Sequence, residues 1–131
     1  MDIVALQKKL TEFANERDWN EFHTPKNLAM ALAGEAGELL AEFQWLSAEQ
    51  SCQLTAHQLS AVKHEMADVL LYLLRLADML NVNLEQAAYE KIALNAEKYP
   101  IALAKGNALK YNQLGEWLVG AEGFEPPTIA L

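Results

Sequence analysis

The chain has 131 residues, of which 52% are hydrophobic, and a formal net charge of −8. This length suits one domain with a single core, and the composition is globular rather than disordered. The negative charge argues against binding to a nucleic acid polymer or an anionic membrane, but it leaves open a small polyanion that arrives with metal ions. Cys52 is the only cysteine, so a cytoplasmic setting is expected.

The first half of the chain predicts two helices joined by a polar aromatic loop. Apolar residues at helical spacing predict the first helix over about 3–15. The loop "NERDWNEFH" covers residues 15–23. Thr24 followed by Pro25 is a strong helix start, because it supplies a capping hydroxyl and a proline at the first helical position. The second helix is expected to run to about Trp45.

Two capping-box patterns, which begin at Ser47 and Thr55, predict the next helix starts. The first pattern opens a short turn or helix, and the second opens a long helix over about 56–80. Asn81 is a suitable residue to end that long helix. Its longest strongly apolar run, "VLLYLL", is far too short to span a bilayer, so no membrane segment is expected.

The last predicted helix covers about 84–98, with Asn83 as its cap and Pro100 just beyond its end. No strand alternation is present, so the fold class is predicted to be all-α, with a four-helix-bundle-like protomer. The domain is expected to span residues 1–114. Residues 115–131 change to a glycine-, proline- and glutamate-rich composition and are expected to form a poorly ordered tail.

Two pairs of acidic residues lie at the margins of the apolar faces of the two long helices. Glu35 falls inside the apolar stripe of its helix, and Glu38 lies at its border. Glu65 lies at the edge of the next long helix's stripe, with Asp68 further out. Since residues three apart are neighbours on a helix surface, each helix offers one carboxylate pair.

Two interpretations of these acids remain open. Buried carboxylates must be protonated, paired or bound to metal, and an ion-paired cluster is possible, with Arg75 as a candidate partner for Asp68. Two antiparallel helices with two acids each would instead form a four-carboxylate cage, which favours Mg²⁺ or Mn²⁺. A di-iron site is disfavoured because neither acid pair has the Glu-x-x-His form, and an HExxH zinc motif is absent.

Three segments together resemble a known family. "GEAGELLAEFQW", "EMADVLLYLLRLA" and "KIALNAEKYP" are similar to the motifs of the MazG-like all-α nucleoside triphosphate pyrophosphohydrolases, and most similar to their small dCTP-pyrophosphatase-like branch. The resemblance implies Mg²⁺-dependent cleavage of (deoxy)nucleoside triphosphates to monophosphate and pyrophosphate, as part of nucleotide-pool housekeeping. It also implies that the metal ligands are Glu35, Glu38, Glu65 and Asp68.

Candidate phosphate ligands follow the acids along the chain. Lys91, Asn95 and Lys98 share one helix face, where their donors would hold phosphates; a solvated lysine face is the simpler alternative. Tyr72 lies one turn after Asp68 and would offer a hydroxyl, although a core aromatic residue needs no such role.

The resemblance also implies a base-binding site that includes Trp19, His23 and Trp45. Aromatic rings stack on any base, and His23 has the polar atoms to read a base edge. Ordinary core packing is the alternative for these rings.

The mechanism that this equipment favours is metal-assisted hydrolysis, in which Glu38 orients or deprotonates the attacking water. The family resemblance implies a homo-oligomer, most often a tetramer with nucleotide sites at subunit contacts. A catalytically silent helical interaction module is the alternative from a different functional class.

Overall fold

The computed structural model of the chain describes residues 1–114, and all regular secondary structure within them is helical. The helices and turns, in chain order, are α1 (Ile3–Glu16), a 3₁₀ turn (Asn20–Phe22), α2 (Pro25–Ala41), α3 (Ala48–Ser51), α4 (Ala56–Met79), α5 (Leu84–Lys98), α6 (Ile101–Ala104) and a second 3₁₀ turn (Tyr111–Gln113). The predicted all-α class is therefore confirmed. The predicted tail lies outside the described residues.

The chain divides into two compact units, Met1–Asn83 and the part that begins at Leu84. The first unit contains α1 to α4 and both acidic pairs. The second begins with α5, and in it the rings of Tyr99 and Tyr111 meet edge to face with centroids 6.5 Å apart. The single domain over residues 1–114 stays a prediction.

Side-chain caps fix the starts of the helices. The Thr24 hydroxyl accepts a hydrogen bond from the backbone N–H of Asn27, which begins α2. The two predicted capping boxes both form: Ser47 and Thr55 each accept a hydrogen bond from the N–H three residues on, and the glutamine there accepts one in return. The local sequence thus determines where these helices begin.

Two helices end on a residue in the left-handed region. Asp18 follows α1 with φ 53°, and Asn81 follows α4 with φ 56°. After each of them a backbone N–H bonds back to the helix, from Trp19 to Ala14 at 3.0 Å and from Val82 to Ala77 at 2.8 Å. This is a Schellman ending, in which Asx residues tolerate the left-handed backbone better than most.

Helix α2 ends earlier than the sequence predicts. It stops at Ala41, and residues 42–46 form a run of turns rather than a further helical turn. The Phe43 N–H bonds to the Leu40 carbonyl three residues back, at 2.9 Å, and this tighter spacing is typical of helix ends. Trp45 therefore lies in the turns after α2 and not on the helix.

In the first unit, α4 runs antiparallel to α2 and parallel to α1. His23, just before α2, bonds to Arg75 near the end of α4, whereas Glu35 on α2 lies beside Glu65, earlier in α4. On the other side, Gln7 Nε2 of α1 donates to the carbonyl of Leu74, and Thr11 contacts α4 one turn further on. The core of the unit lies among these three helices and contains Ala14, Leu28, Val62, Leu74 and Ala77.

Candidate active site

Three carboxylates from two helices converge beside this core. One ligand oxygen each of Glu35 and Glu38 on α2 and of Glu65 on α4 lie within 4.8 Å of one another. Glu35 and Glu65 are half-buried, and Glu38 is exposed. These three residues, called the acidic cluster below, meet because the i, i+3 pair of α2 faces the margin of α4. Asp68 lies one turn beyond Glu65 and outside this group of three.

Glu65 is the most perturbed member of the acidic cluster. Burial raises the pKa of Glu65, and the negative charges of Glu38, Glu35 and Asp68 raise it further. Its Oε2 atom is shielded from solvent and has no hydrogen-bond partner among the described residues. A shielded, ionised carboxylate oxygen without a donor is unfavourable unless the group takes up a proton or a cation satisfies it.

The ion pair between Arg75 and Asp68, which one of the two interpretations of the sequence allowed, does not form. Arg75 instead lies 3.7 Å from Asp78, one turn further along α4. Seven residues separate Arg75 from Asp68, which is about 10 Å along a helix, and the guanidinium turns toward α1 and the first 3₁₀ turn. Within residues 1–114, no lysine or arginine forms a salt bridge with any of the four acids.

The acidic cluster therefore fits a hard divalent cation better than an ion-paired surface. Several carboxylate oxygens at short range, one of them shielded and unsatisfied, are what Mg²⁺ and Mn²⁺ require from a protein. The sequence interpretation of an ion-paired cluster finds no partner in the described part of the chain. The identity of the metal is a matter for proposal.

Two of the three predicted base-binding residues come together at the first 3₁₀ turn. The ring centroids of Trp19 and His23 are 6.2 Å apart, and Trp19 meets Phe13 of α1 edge to face at 5.7 Å. Trp19 is 42% exposed, so its indole is available to a ligand. Trp45, the third residue, is 87% exposed in the turns after α2. Core packing, the alternative for these rings, does not account for Trp45.

The predicted phosphate ligands divide between the two units. Tyr72 is half-buried on α4, one turn after Asp68. On α5, in the second unit, Lys91 and Lys98 are exposed and Asn95 is half-buried. The ammonium of Lys98 lies 4.9 Å from the centroid of the Tyr111 ring, which is a cation–π contact. The role of these four residues in phosphate binding stays a prediction.

Arg75 is the residue whose environment the sequence did not predict. It is only 4% exposed, yet it carries a charge that faces neutral side chains of α1 and of the first 3₁₀ turn. The "LLRLA" pattern of α4 was the one sign in the sequence that this arginine is buried, because a charged residue stands there among leucines and alanine.

Comparison with known proteins agrees with the motifs. The sequence profile of the MazG-like family matches residues 31–114. The chain is 46% identical over 114 residues to dCTP pyrophosphatase 1 of Rattus norvegicus, covering 86% of this chain and 67% of that protein. The Homo sapiens protein of the same name is 43% identical over the same shares. A crystal structure of a pyrophosphatase from Archaeoglobus fulgidus superposes with a TM-score of 0.72 at 39% identity, covering 76% of this chain and 94% of the other.

The all-α fold of the chain agrees with these matches. The chain belongs to the MazG-like family, as the motifs predicted.

Proposed function

We propose that the chain is a nucleoside triphosphate pyrophosphohydrolase that uses Mg²⁺ to cleave the α–β phosphoanhydride bond, releasing a monophosphate and pyrophosphate. The observation that carries the proposal is the acidic cluster of Glu35, Glu38 and Glu65 in a member of the MazG-like family. Such an activity serves to keep nucleotide pools in order, and we propose that it acts in the cytoplasm. Mn²⁺ is the alternative metal with the same ligand preference.

Deoxycytidine triphosphate is the first substrate to test. The curated relatives are named dCTP pyrophosphatase 1 and share 43–46% of aligned residues with this chain. At the first 3₁₀ turn, Trp19 supplies an exposed aromatic ring and His23 supplies polar ring atoms. A ring stacks on any base, so selection among bases depends on the polar contacts.

Glu35, Glu38 and Glu65, with Asp68 one turn further along α4, would hold the metal. When bound, Mg²⁺ neutralises charge on the triphosphate and polarises the α-phosphoryl group. The chain's own task is positioning, because phosphoryl transfer needs little covalent chemistry from the protein. Glu38 is the exposed member of the acidic cluster, so water reaches its carboxylate most readily. We propose that this carboxylate orients or deprotonates the attacking water.

The test is hydrolysis by the purified full chain with Mg²⁺ and a panel of ribo- and deoxynucleoside triphosphates, in which pyrophosphate and orthophosphate are quantified separately. We expect pyrophosphate and monophosphate in equal amounts. Glu38→Gln and Asp68→Asn should each lower kcat by about 100-fold or more, because preorganised charge at the reacting group is lost.

Glu97→Gln, an exposed acid on α5, is the matched control and should leave kcat unchanged. Unchanged helical circular dichroism in each variant separates loss of chemistry from loss of folding. Absence of pyrophosphate release from every nucleotide would support the silent interaction module instead.

A further inference from the structure

Arg75 donates three side-chain hydrogen bonds within the first unit. Its Nε donates to His23 Nδ1 at 3.2 Å, and its two terminal nitrogens donate to Thr11 Oγ1 at 3.1 Å and Asn20 Oδ1 at 2.9 Å. Its one charged neighbour, Asp78, is 3.7 Å away and partly exposed. A buried guanidinium therefore makes its short contacts to neutral side chains from α1 and from both ends of the first 3₁₀ turn.

Stability alone does not account for this arginine. A buried charge that is only partly paired costs desolvation free energy, and an apolar residue of similar volume is often as stable or more stable at such a position. What the arginine adds is geometry, because its planar fork fixes the direction of each hydrogen bond. The segment that it fixes carries Trp19 and His23.

Little else holds that segment. Phe22, the last residue of the 3₁₀ turn, is exposed, and so is Trp19, so burial of large apolar side chains does not fix the turn. The remaining contacts are with residues close in sequence. The Trp19 N–H donates to the Ala14 carbonyl and its ring meets Phe13. Asn20 donates to Asn15, and Asn27 donates to the Phe22 carbonyl. Arg75 is thus the side chain that ties both ends of the turn to α4, more than 50 residues away in sequence.

The bond from Arg75 also decides the protonation of His23. An arginine nitrogen has only protons to offer, so Nδ1 must be the acceptor and the ring proton must lie on Nε2. Burial, followed by the positive charge of Arg75, lowers the pKa of His23, which keeps the ring neutral at pH 7. No described residue bonds to Nε2, and this atom is not among the shielded polar atoms. It therefore presents one fixed donor.

We propose that Arg75 is a positioning residue for base recognition: it holds the Trp19–His23 segment on α4 and fixes His23 as a neutral Nε2–H donor for a carbonyl oxygen on the base of the nucleotide. This inference rests on the proposed function for the presence of a nucleotide. It assigns Arg75 no contact with the substrate. It does assign the ligand class, a base with a carbonyl acceptor beside an aromatic face.

The decisive variant is Arg75→Met, which removes the donors and keeps an apolar side chain of similar length. We expect it to fold with wild-type stability or better. KM for deoxycytidine triphosphate should rise about tenfold, as for the loss of one hydrogen bond to the ligand. The kcat at saturating substrate should stay within about twofold, because the acidic cluster is untouched. Lys63→Met, an exposed cation on the same helix, should change neither value.

Two further readouts separate positioning from mere structural support. Dissociation constants for a non-hydrolysable α,β-imido deoxycytidine triphosphate, measured by tryptophan fluorescence, should weaken in parallel with KM. Long-range ¹H–¹⁵N spectra of the wild-type chain should show His23 with Nδ1 unprotonated at pH 7, and the Nδ1 resonance should move in Arg75→Met. His23→Gln assigns the signal, because the chain has only three histidines.

The outcomes are distinct. A wild-type His23 protonated on Nδ1, or an unchanged KM in a folded Arg75→Met, overturns the inference. If the wild-type chain binds the analogue but hydrolyses no triphosphate, the proposed function fails, and the dissociation constants still decide the role of Arg75. If it binds no nucleotide, both fall. Should Arg75→Met not fold, Arg75→Lys keeps the charge but loses the fork, and the same rise in KM is expected.

Discussion

Glu65 combines a shielded oxygen, no donor for that oxygen within the described residues, and three neighbouring negative charges. In the absence of metal this arrangement opposes folding, because burial and repulsion both disfavour the ionised carboxylate. A bound divalent cation would instead favour the ionised carboxylate, because its positive charge outweighs the repulsion among the acids. As the metal ligand that we propose, Glu65 would link metal binding to stability, which can be measured without turnover.

Glu65→Gln should raise Tm in EDTA, because it removes one negative charge from the acidic cluster. Mg²⁺ at 100 times its Kd should stabilise the wild-type chain by about 2.7 kcal/mol, and the variant should lose most of this gain. Thermal unfolding with and without Mg²⁺ measures both effects. Glu97→Gln on α5 is the control, and an equal Mg²⁺ effect in Glu65→Gln and wild type would remove Glu65 from the ligand set.

Trp45 is the second residue with a separable effect. At 87% exposure its indole contributes little to the core, so its loss should not destabilise the fold. If the ring stacks on the base, Trp45→Ala should raise KM by about tenfold or more, since stacking contributes about 1–3 kcal/mol per base, with a smaller change in kcat. Steady-state kinetics with several nucleotides checks this, and an unchanged KM for all of them would exclude Trp45 from the site.

At the scale of elements, α4 carries most of the candidate site. Near its middle, Glu65 lies beside Glu35 and Glu38 of α2, and Asp68 follows one turn later. In its last third, Arg75 contacts α1 and the first 3₁₀ turn. A single helix of 24 residues thus carries the candidate metal ligands and contacts the segment that we propose binds the base. Its start is fixed by the capping box of Thr55.

Thr55→Ala should lower the free energy of unfolding by about 1 kcal/mol, because the first turn of α4 loses its cap. Native kcat should be unchanged, since the cap lies more than two turns from Glu65. Urea unfolding measures the loss. Ser47→Ala removes the same kind of cap from α3, a helix of four residues, and should cost less. An unchanged free energy of unfolding in Thr55→Ala would mean that α4 does not depend on its cap.

At the scale of the whole molecule, many large apolar side chains are exposed within residues 1–114. Several of them lie on or beside the helices of the first unit, namely Met30, Leu40, Trp45, Leu59 and Met66. Exposed apolar side chains that gather into one patch mark protein contacts. None of the described helices has the length and apolarity needed to cross a membrane.

We expect a homo-oligomer with two-fold interfaces, a tetramer in the form that the family resemblance implies. Light scattering at micromolar concentration should give a mass that is a multiple of 14.6 kDa. A monomer mass would contradict the prediction.

Mixed chains test whether subunits share sites. Trp19→Ala and Glu38→Gln chains, inactive alone, should recover part of the activity when they form mixed oligomers with shared sites. Self-contained sites would recover none, which would contradict a base-binding segment donated across the interface.

By itself, the sequence determined the positions of α1 to α5, the starts of α2, α3 and α4, and the two acidic pairs, but not the end of α2. These features depend on hydrogen bonds and side-chain spacing within a few residues, which is why Thr24, Ser47 and Thr55 marked true helix starts. It also determined family membership through motifs that keep their order along the chain.

Only the tertiary structure decided which groups meet. It brought Glu35, Glu38 and Glu65 within 4.8 Å and left Asp68 outside that group. In the folded chain, Arg75 donates a hydrogen bond to His23, 52 residues away in sequence, and does not pair with Asp68 on its own helix. Such choices depend on how helices pack and on which polar groups find donors there, and no local pattern encodes them.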